Sequence, residues 1–211
     1  MDIDLNALLE IYRKNPFEDY ILQSVHCGVI TFHVREEQEV HGPEGQWHQK
    51  PGTLLYQLTR QNNTKKVYSP CSGIIIDLRR DLNGSFTEAG VDLMSIRHRL
   101  NKDEVIDRIL KDVLILFPAP QRARYLLSPE FAARLEKEGQ PTIQPGDEPI
   151  IMSLMKRDTN LVYGSAPGVI YKVYFQQGAL VEEGAPLIGV CQEEKLSYIQ
   201  QVVNRIKNEW E

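Results

Sequence analysis

The 211-residue chain can hold one large domain or two small ones, and its 42% hydrophobic and 25% charged content is ordinary for a globular protein. A net charge of −5 gives no basic footprint for nucleic acid, and no apolar run approaches the ~20 residues needed to span a bilayer. Met1-Asp2-Ile3-Asp4 has no apolar signal core, and the three cysteines, Cys27, Cys71 and Cys191, lack zinc-like spacing; reduced thiols in a cytoplasmic protein are expected, with no nucleic-acid or membrane partner.

In chain order, residues 1–19 predict a helix with Leu5, Leu8, Leu9 and Tyr12 on one face, ending before Pro16. Cys27 to Val34 reads as the opening strand of a β-module. His26, His33, His41 and His48 crowd this region without matching a closed metal motif; they are read as scattered surface and core side chains. His41 to His48 reads as an exposed loop in which Trp47 is a candidate contact residue. Pro51-Gly52 leads into an apolar strand through Leu58, and Asn62-Asn63 supplies turn chemistry. The basic pairs Arg79-Arg80 and Arg97/Arg99 read as solvated charge. Leu93 to Ile96 is a further strand.

Asn101 can cap a helix running to about Leu114, with Glu104 completing a capping box and Val105, Ile109, Leu110 and Val113 as its apolar stripe. Leu114 to Phe117 predicts a strand. Ser128, Pro129 and Gly139 bound a second short helix. Pro149 to Met155 has the length and apolarity of a buried strand. Arg157, Asp158, Thr159 and Asn160 read as a polar turn, after which Leu161 to Tyr163 resumes the apolar pattern. Val169, Ile170, Val173 and Tyr174 suit a strand, as do Pro186 to Val190. Leu196, Ile199, Val203, Ile206 and Trp210 form the seam of a C-terminal helix. Packing on its own chain is expected of that seam, with self-association or a partner subunit as the alternative.

A frame of prolines and glycines occurs twice. Pro51-Gly52 and Pro145-Gly146 each open into an apolar strand, and Gly73, Gly84 and Gly90 match Gly168, Gly178 and Gly184 in spacing to within one residue. Internal repetition fixes architecture. The fold expected is mainly β with flanking helices. It comprises an N-terminal helix (1–19), a β-module (20–100), a helical linker or insertion (101–140, overlapping the start of the second module near 112), a second β-module (141–192) and a C-terminal amphipathic helix (193–211). Short strands punctuated by glycine turns suggest small sandwiches or barrels. No phosphate loop, nucleophile elbow or framed carboxylate pair is present, which favours a carrier or scaffold over an enzyme.

The stretch from Pro145 to Val190, with Met155-Lys156 between two apolar runs and glycines at 168, 178 and 184, resembles the C-terminal half of a biotinyl domain. That family carries biotin on the lysine of a Met-Lys-Met turn between two β-strands. Met155 and Lys156 match two of the three positions; Arg157 replaces the second methionine, Ser153 stands where an acidic residue is usual, and Leu154 where alanine is usual. Pro167 is shifted relative to the family's Ala-Pro, which Ser69-Pro70 matches better. The resemblance implies two tandem biotinyl/lipoyl-like barrel-sandwich modules, the first degenerate and without a carrier lysine. It also implies covalent biotin on Lys156, Met155 as a ligase-recognition residue, and a non-catalytic carrier role in a carboxylase or decarboxylase system. The implied partners are carboxylase or carboxyltransferase subunits and a biotin ligase. The alternative is an unmodified scaffold or adaptor of the same fold mediating subunit assembly. A lipoyl carrier is a weaker fit, because such domains commonly place Asp before the lysine. An adaptor of the membrane-fusion transport type would call for an export signal or anchor that the sequence is not expected to carry.

Overall fold

The computed structural model describes residues 5–45 and 50–210; Trp47 and His48 of the expected contact loop lie outside them. The chain is mainly β, with four α-helices and only antiparallel strand pairing among the described residues. The N-terminal helix α1 spans Leu5–Lys14 and stops ahead of Pro16, whose ring disfavours helical geometry in the preceding residue. The chain divides into two compact units, one of residues 11–100 and one of residues 1–10 with 101–211.

The unit of residues 11–100 contains strands β1 (Phe17–Gln23), β2 (Gly28–Phe32), β3 (Glu39–Val40), β4 (Leu54–Arg60), β5 (Asn63–Tyr68), β6 (Gly73–Ile76), β7 (Phe86–Thr87) and β8 (Asp92–Arg99). They form two four-stranded sheets, in the orders β1-β8-β6-β3 and β5-β4-β2-β7. Ile30, Leu55, Tyr56, Ile75, Leu93 and Ile96 are its buried centre. The expected opening strand at Cys27 is therefore the second strand. β1 precedes it, and its alternation is weak because neither of its faces is fully buried and charged Glu18 and Asp19 interrupt the apolar pattern.

The other unit contains β9 (Ile115–Pro118), β10 (Ala123–Leu127), β11 (Thr142–Ile143), β12 (Ile150–Leu154), β13 (Arg157–Leu161), β14 (Gly168–Val173), β15 (Leu180–Val181) and β16 (Pro186–Cys191). Its sheets run β9-β16-β14-β11 and β13-β12-β10-β15. Adding eight to each strand label of the first unit reproduces these orders. Tyr125, Ile143, Ile150, Leu187, Ile188 and Val190 form the core.

The paired glycines have paired reasons. A Cβ on Gly73 would lie 2.4 Å from the carbonyl oxygen of Arg97, and one on Gly168 would lie 2.3 Å from that of Cys191. Each glycine thus lets the strand it begins approach its neighbour's backbone. Gly84 and Gly178 adopt φ of 76° and 74°, and their N–H groups donate to the Ile30 and Tyr125 carbonyls of β2 and β10.

Three helices belong to the unit that includes residues 101–211. α2 (Lys102–Val113) starts with the expected capping box: Asn101 Oδ1 accepts from the Glu104 N–H, and the Glu104 carboxylate accepts from the Asn101 N–H. α3 (Pro129–Glu138) is inserted between β10 and β11 and ends at Gly139, with φ of 72°. α4 (Glu193–Glu209) buries Ile199, Val202, Val203 and Ile206 within the chain and packs against α2. The expected seam thus follows the self-packing reading at three of its five positions. α2 is also tied to β14 and the residue after it: Asp107 binds Lys111 and Lys172, and both lysines lie over the ring of Tyr174.

Candidate functional site

Strands β12 and β13 pair from Ile150↔Leu161 to Leu154↔Arg157, which leaves a two-residue loop, Met155-Lys156. The expected polar turn at Arg157 to Asn160 is instead the start of β13, an edge strand whose first four residues are exposed. Edge strands tolerate charged side chains, which discourage pairing with a second chain. Polarity at these positions therefore reports an exposed edge rather than a change of direction.

The loop's backbone is unusual for its residues. Met155 has φ of 50° and Lys156 φ of 62°. A two-residue hairpin turn with positive φ at both positions matches the right-handed twist of the strands, and is normally built from Asn-Gly or Gly-Gly. A side chain with a Cβ costs about 1–2 kcal/mol in this left-handed region. Met155 is also 89% exposed, although it is a large apolar residue. Neither conformational preference nor burial explains a methionine and a lysine here.

The strands below hold this turn firmly. Met152 is buried, with Leu154 and Leu161 packed against the same core, and Gln121 Nε2 donates to Met152 Sδ at 3.3 Å. On the opposite face Asn160 Nδ2 donates to Glu148 Oε2 at 2.7 Å. The Pro145-Gly146 bend ties back to the end of the hairpin, where the Gly146 N–H donates to the Tyr163 carbonyl and the Tyr163 N–H to the Asp147 carbonyl. Lys156 is exposed at the tip, without a hydrogen-bond or ion-pair partner among the described residues. The arrangement offers a primary amine, on a flexible stem, from a fixed base.

The hairpin of β4 and β5 also closes with a two-residue loop, but its tip differs. Its register ends at Arg60↔Asn63, so Gln61-Asn62 is the loop, with φ of 54° at Gln61. Thr59 and Thr64 face each other below it, with their hydroxyls 3.1 Å apart. The turn expected at Asn62-Asn63 is displaced by one residue, and the loop contains no amine. Lys195 lies in the first turn of α4 and has an interaction partner.

Other chemistries find little footing. Among the described residues no group of three or more His, Cys, Asp or Glu side chains could hold a metal ion. Cys27, Cys71 and Cys191 form no disulfide, and burial pushes Cys191 up despite the opposing charge of Lys195. Among the described residues no helix is long and apolar enough to cross a membrane.

No known family matches the sequence, and no curated protein matches it either. One matching solved structure is described as a single-chain, multi-domain long-chain acyl-CoA carboxylase. It aligns over 85% of this chain and 22% of its own, at 12% identity and a TM-score of 0.32. The chain thus spans about a fifth of that protein, and a likeness at this level carries no functional argument.

Proposed function

We propose that the chain is a carrier protein that presents biotin on Lys156 within a biotin-dependent carboxylase or decarboxylase system. The supporting observation is the Met155-Lys156 turn, two residues with side chains held at φ of 50° and 62° at an exposed tip. A sequence optimised for stability would place Asn-Gly there. Retaining a strained, solvent-facing methionine and lysine is accounted for if another protein must recognise the turn and acylate the lysine.

In this reading each unit is a biotinyl/lipoyl-like barrel-sandwich module, a view supported by the shared strand order and the paired glycines. Only the second module carries a group. Lys156 Nζ attacks an activated carboxyl carbon of biotin and forms an amide, releasing the activating group and a proton. When bound, biotin supplies a ureido nitrogen that takes up and delivers a carboxyl group. The chain itself contributes reach and presentation: β12 and β13 fix the base of the hairpin, and Met155 offers the ligase an apolar landmark beside the amine. A biotin ligase and carboxylase or carboxyltransferase subunits in the cytoplasm are the partners this role requires. The first module, with Gln61-Asn62 at its tip, is a structural or docking element.

The test is streptavidin binding by protein co-produced with an active biotin ligase. The expected result is labelling that Lys156→Arg abolishes, because arginine keeps the charge but lacks the acylatable amine. Asn62→Lys in that variant should not restore it, since no methionine flanks position 62. Labelling that survives Lys156→Arg would sink the assignment.

A further inference from the structure

The first unit's hairpin differs from the second in more than its missing lysine. Beside it lies a recess of about 460 Å³ lined by His26, Cys27, Leu58, Arg60, Gln61, Asn63 and Lys65. Among the described residues no carboxylate lines it. The register explains why two cations converge there. Leu58 pairs with Lys65 and Arg60 with Asn63; side chains alternate across a strand, so these four share one face. Leu58 is buried in the core, which fixes that face as the inward one. Where the hairpin runs past the core, its inward face carries Arg60 and Lys65 instead of apolar side chains. Neither has an ion-pair partner among the described residues. The whole hairpin, 54–68, has three cations, Arg60, Lys65 and Lys66, and no acid.

The matching face of the second hairpin is different. Its positions are Met152, Leu154, Arg157 and Thr159, paired Met152↔Thr159 and Leu154↔Arg157, so only one cation stands on it. Convergence of like charges on one face is unfavourable unless an anion joins them.

We infer that this recess binds a phosphoryl group, as free phosphate or as a phosphate monoester. Arg60 and Lys65 match the two negative charges of the dianion. The guanidinium offers a planar fork to two phosphate oxygens, and the ammonium acts as a point charge on a third. The Asn63 amide and the His26 imidazole can add neutral donors. The buried Leu58 floor limits screening on one side. This inference is independent of the carrier role of Lys156.

The experiment is a titration of the full chain by two-dimensional amide NMR, with inorganic phosphate, glycerol phosphate and acetate as separate ligands at constant ionic strength. Saturable shifts confined to residues around 26–28 and 58–65 are expected with phosphate, and at least tenfold weaker binding of acetate. The Arg60→Gln/Lys65→Gln double variant should lose binding at least tenfold. Lys66→Gln should stay within twofold, because Lys66 pairs with Gln57 on the opposite face. Iodoacetamide labelling of half-exposed Cys27 should slow when phosphate is bound, while labelling of Cys71 should not change. Inorganic phosphate binding as tightly as the ester identifies free phosphate as sufficient; a tighter ester identifies a phosphoryl group on a larger ligand, and both uphold the site. Non-saturating shifts, equal binding of acetate, or an equal loss in Lys66→Gln would reduce the recess to general surface charge and overturn the inference.

Discussion

At the scale of single residues, the turn at Met155-Lys156 stores conformational energy, and that can be measured. Replacing it with Met155→Asn/Lys156→Gly gives the backbone residues that accept positive φ. The double variant should be about 1 kcal/mol or more stable than the parent in urea unfolding, while losing any modification at this site. An unchanged or lower stability would mean that the side chains at the tip cost nothing, and the strain argument would fall. Asp107 supplies a second test, through pH. Burial pushes its carboxyl upward, but the hydrogen bonds from Lys111 and Lys172 outweigh this and hold it below the ordinary value of 3.8. A depressed folded-state value means the stabilisation is fully present above pH ~4, the unfolded range for aspartate, and is lost as pH falls through the lower folded value. The gap in urea midpoint between the wild type and Asp107→Asn, followed by protection of α2 amides, should therefore be largest near neutrality and close below pH ~4. A gap that widens with acid would contradict the assigned partners.

Among the elements, what the sequence revealed depended on how local the determining interaction was. α2 was legible from Asn101, Glu104 and a four-residue apolar stripe because capping is a local interaction. α3 was legible from Pro129 and Gly139. β13 was not, because Arg157 to Asn160 have turn chemistry and are kept in a strand only by pairing with β12. β1 is not legible for the same kind of reason, since its place is set by β8, some 75 residues later in its register. At the candidate site, Lys156 and Met155 were legible as residues; the left-handed geometry that makes them notable was not, since it follows from a loop of only two residues. The glycine frame was legible as spacing, and its cause is close backbone approach. Gly168→Ala should consequently destabilise its unit by about 1–3 kcal/mol, the usual cost of overpacking, because the neighbour in the way is the Cys191 carbonyl rather than a movable side chain. A melt indistinguishable from wild type would show that the two strands can separate at little cost.

For the molecule as a whole, one strand order recurs in both units, with lysine at only one of the two hairpin tips; under the proposed function this is a division of labour between a presenting module and an unmodified one. The helices follow the same asymmetry: α2, α3 and α4 belong to the unit that presents Lys156. The central claim, that Lys156 is a biotin-bearing residue, is tested most directly by mass spectrometry of peptides from the protein purified from its own host. A peptide spanning Met155-Lys156 that carries one biotinyl group, with no such group at Lys65, Lys66 or Lys195, is the expected result. The same peptide found wholly unmodified, from cells whose other biotin proteins are labelled, would contradict the claim.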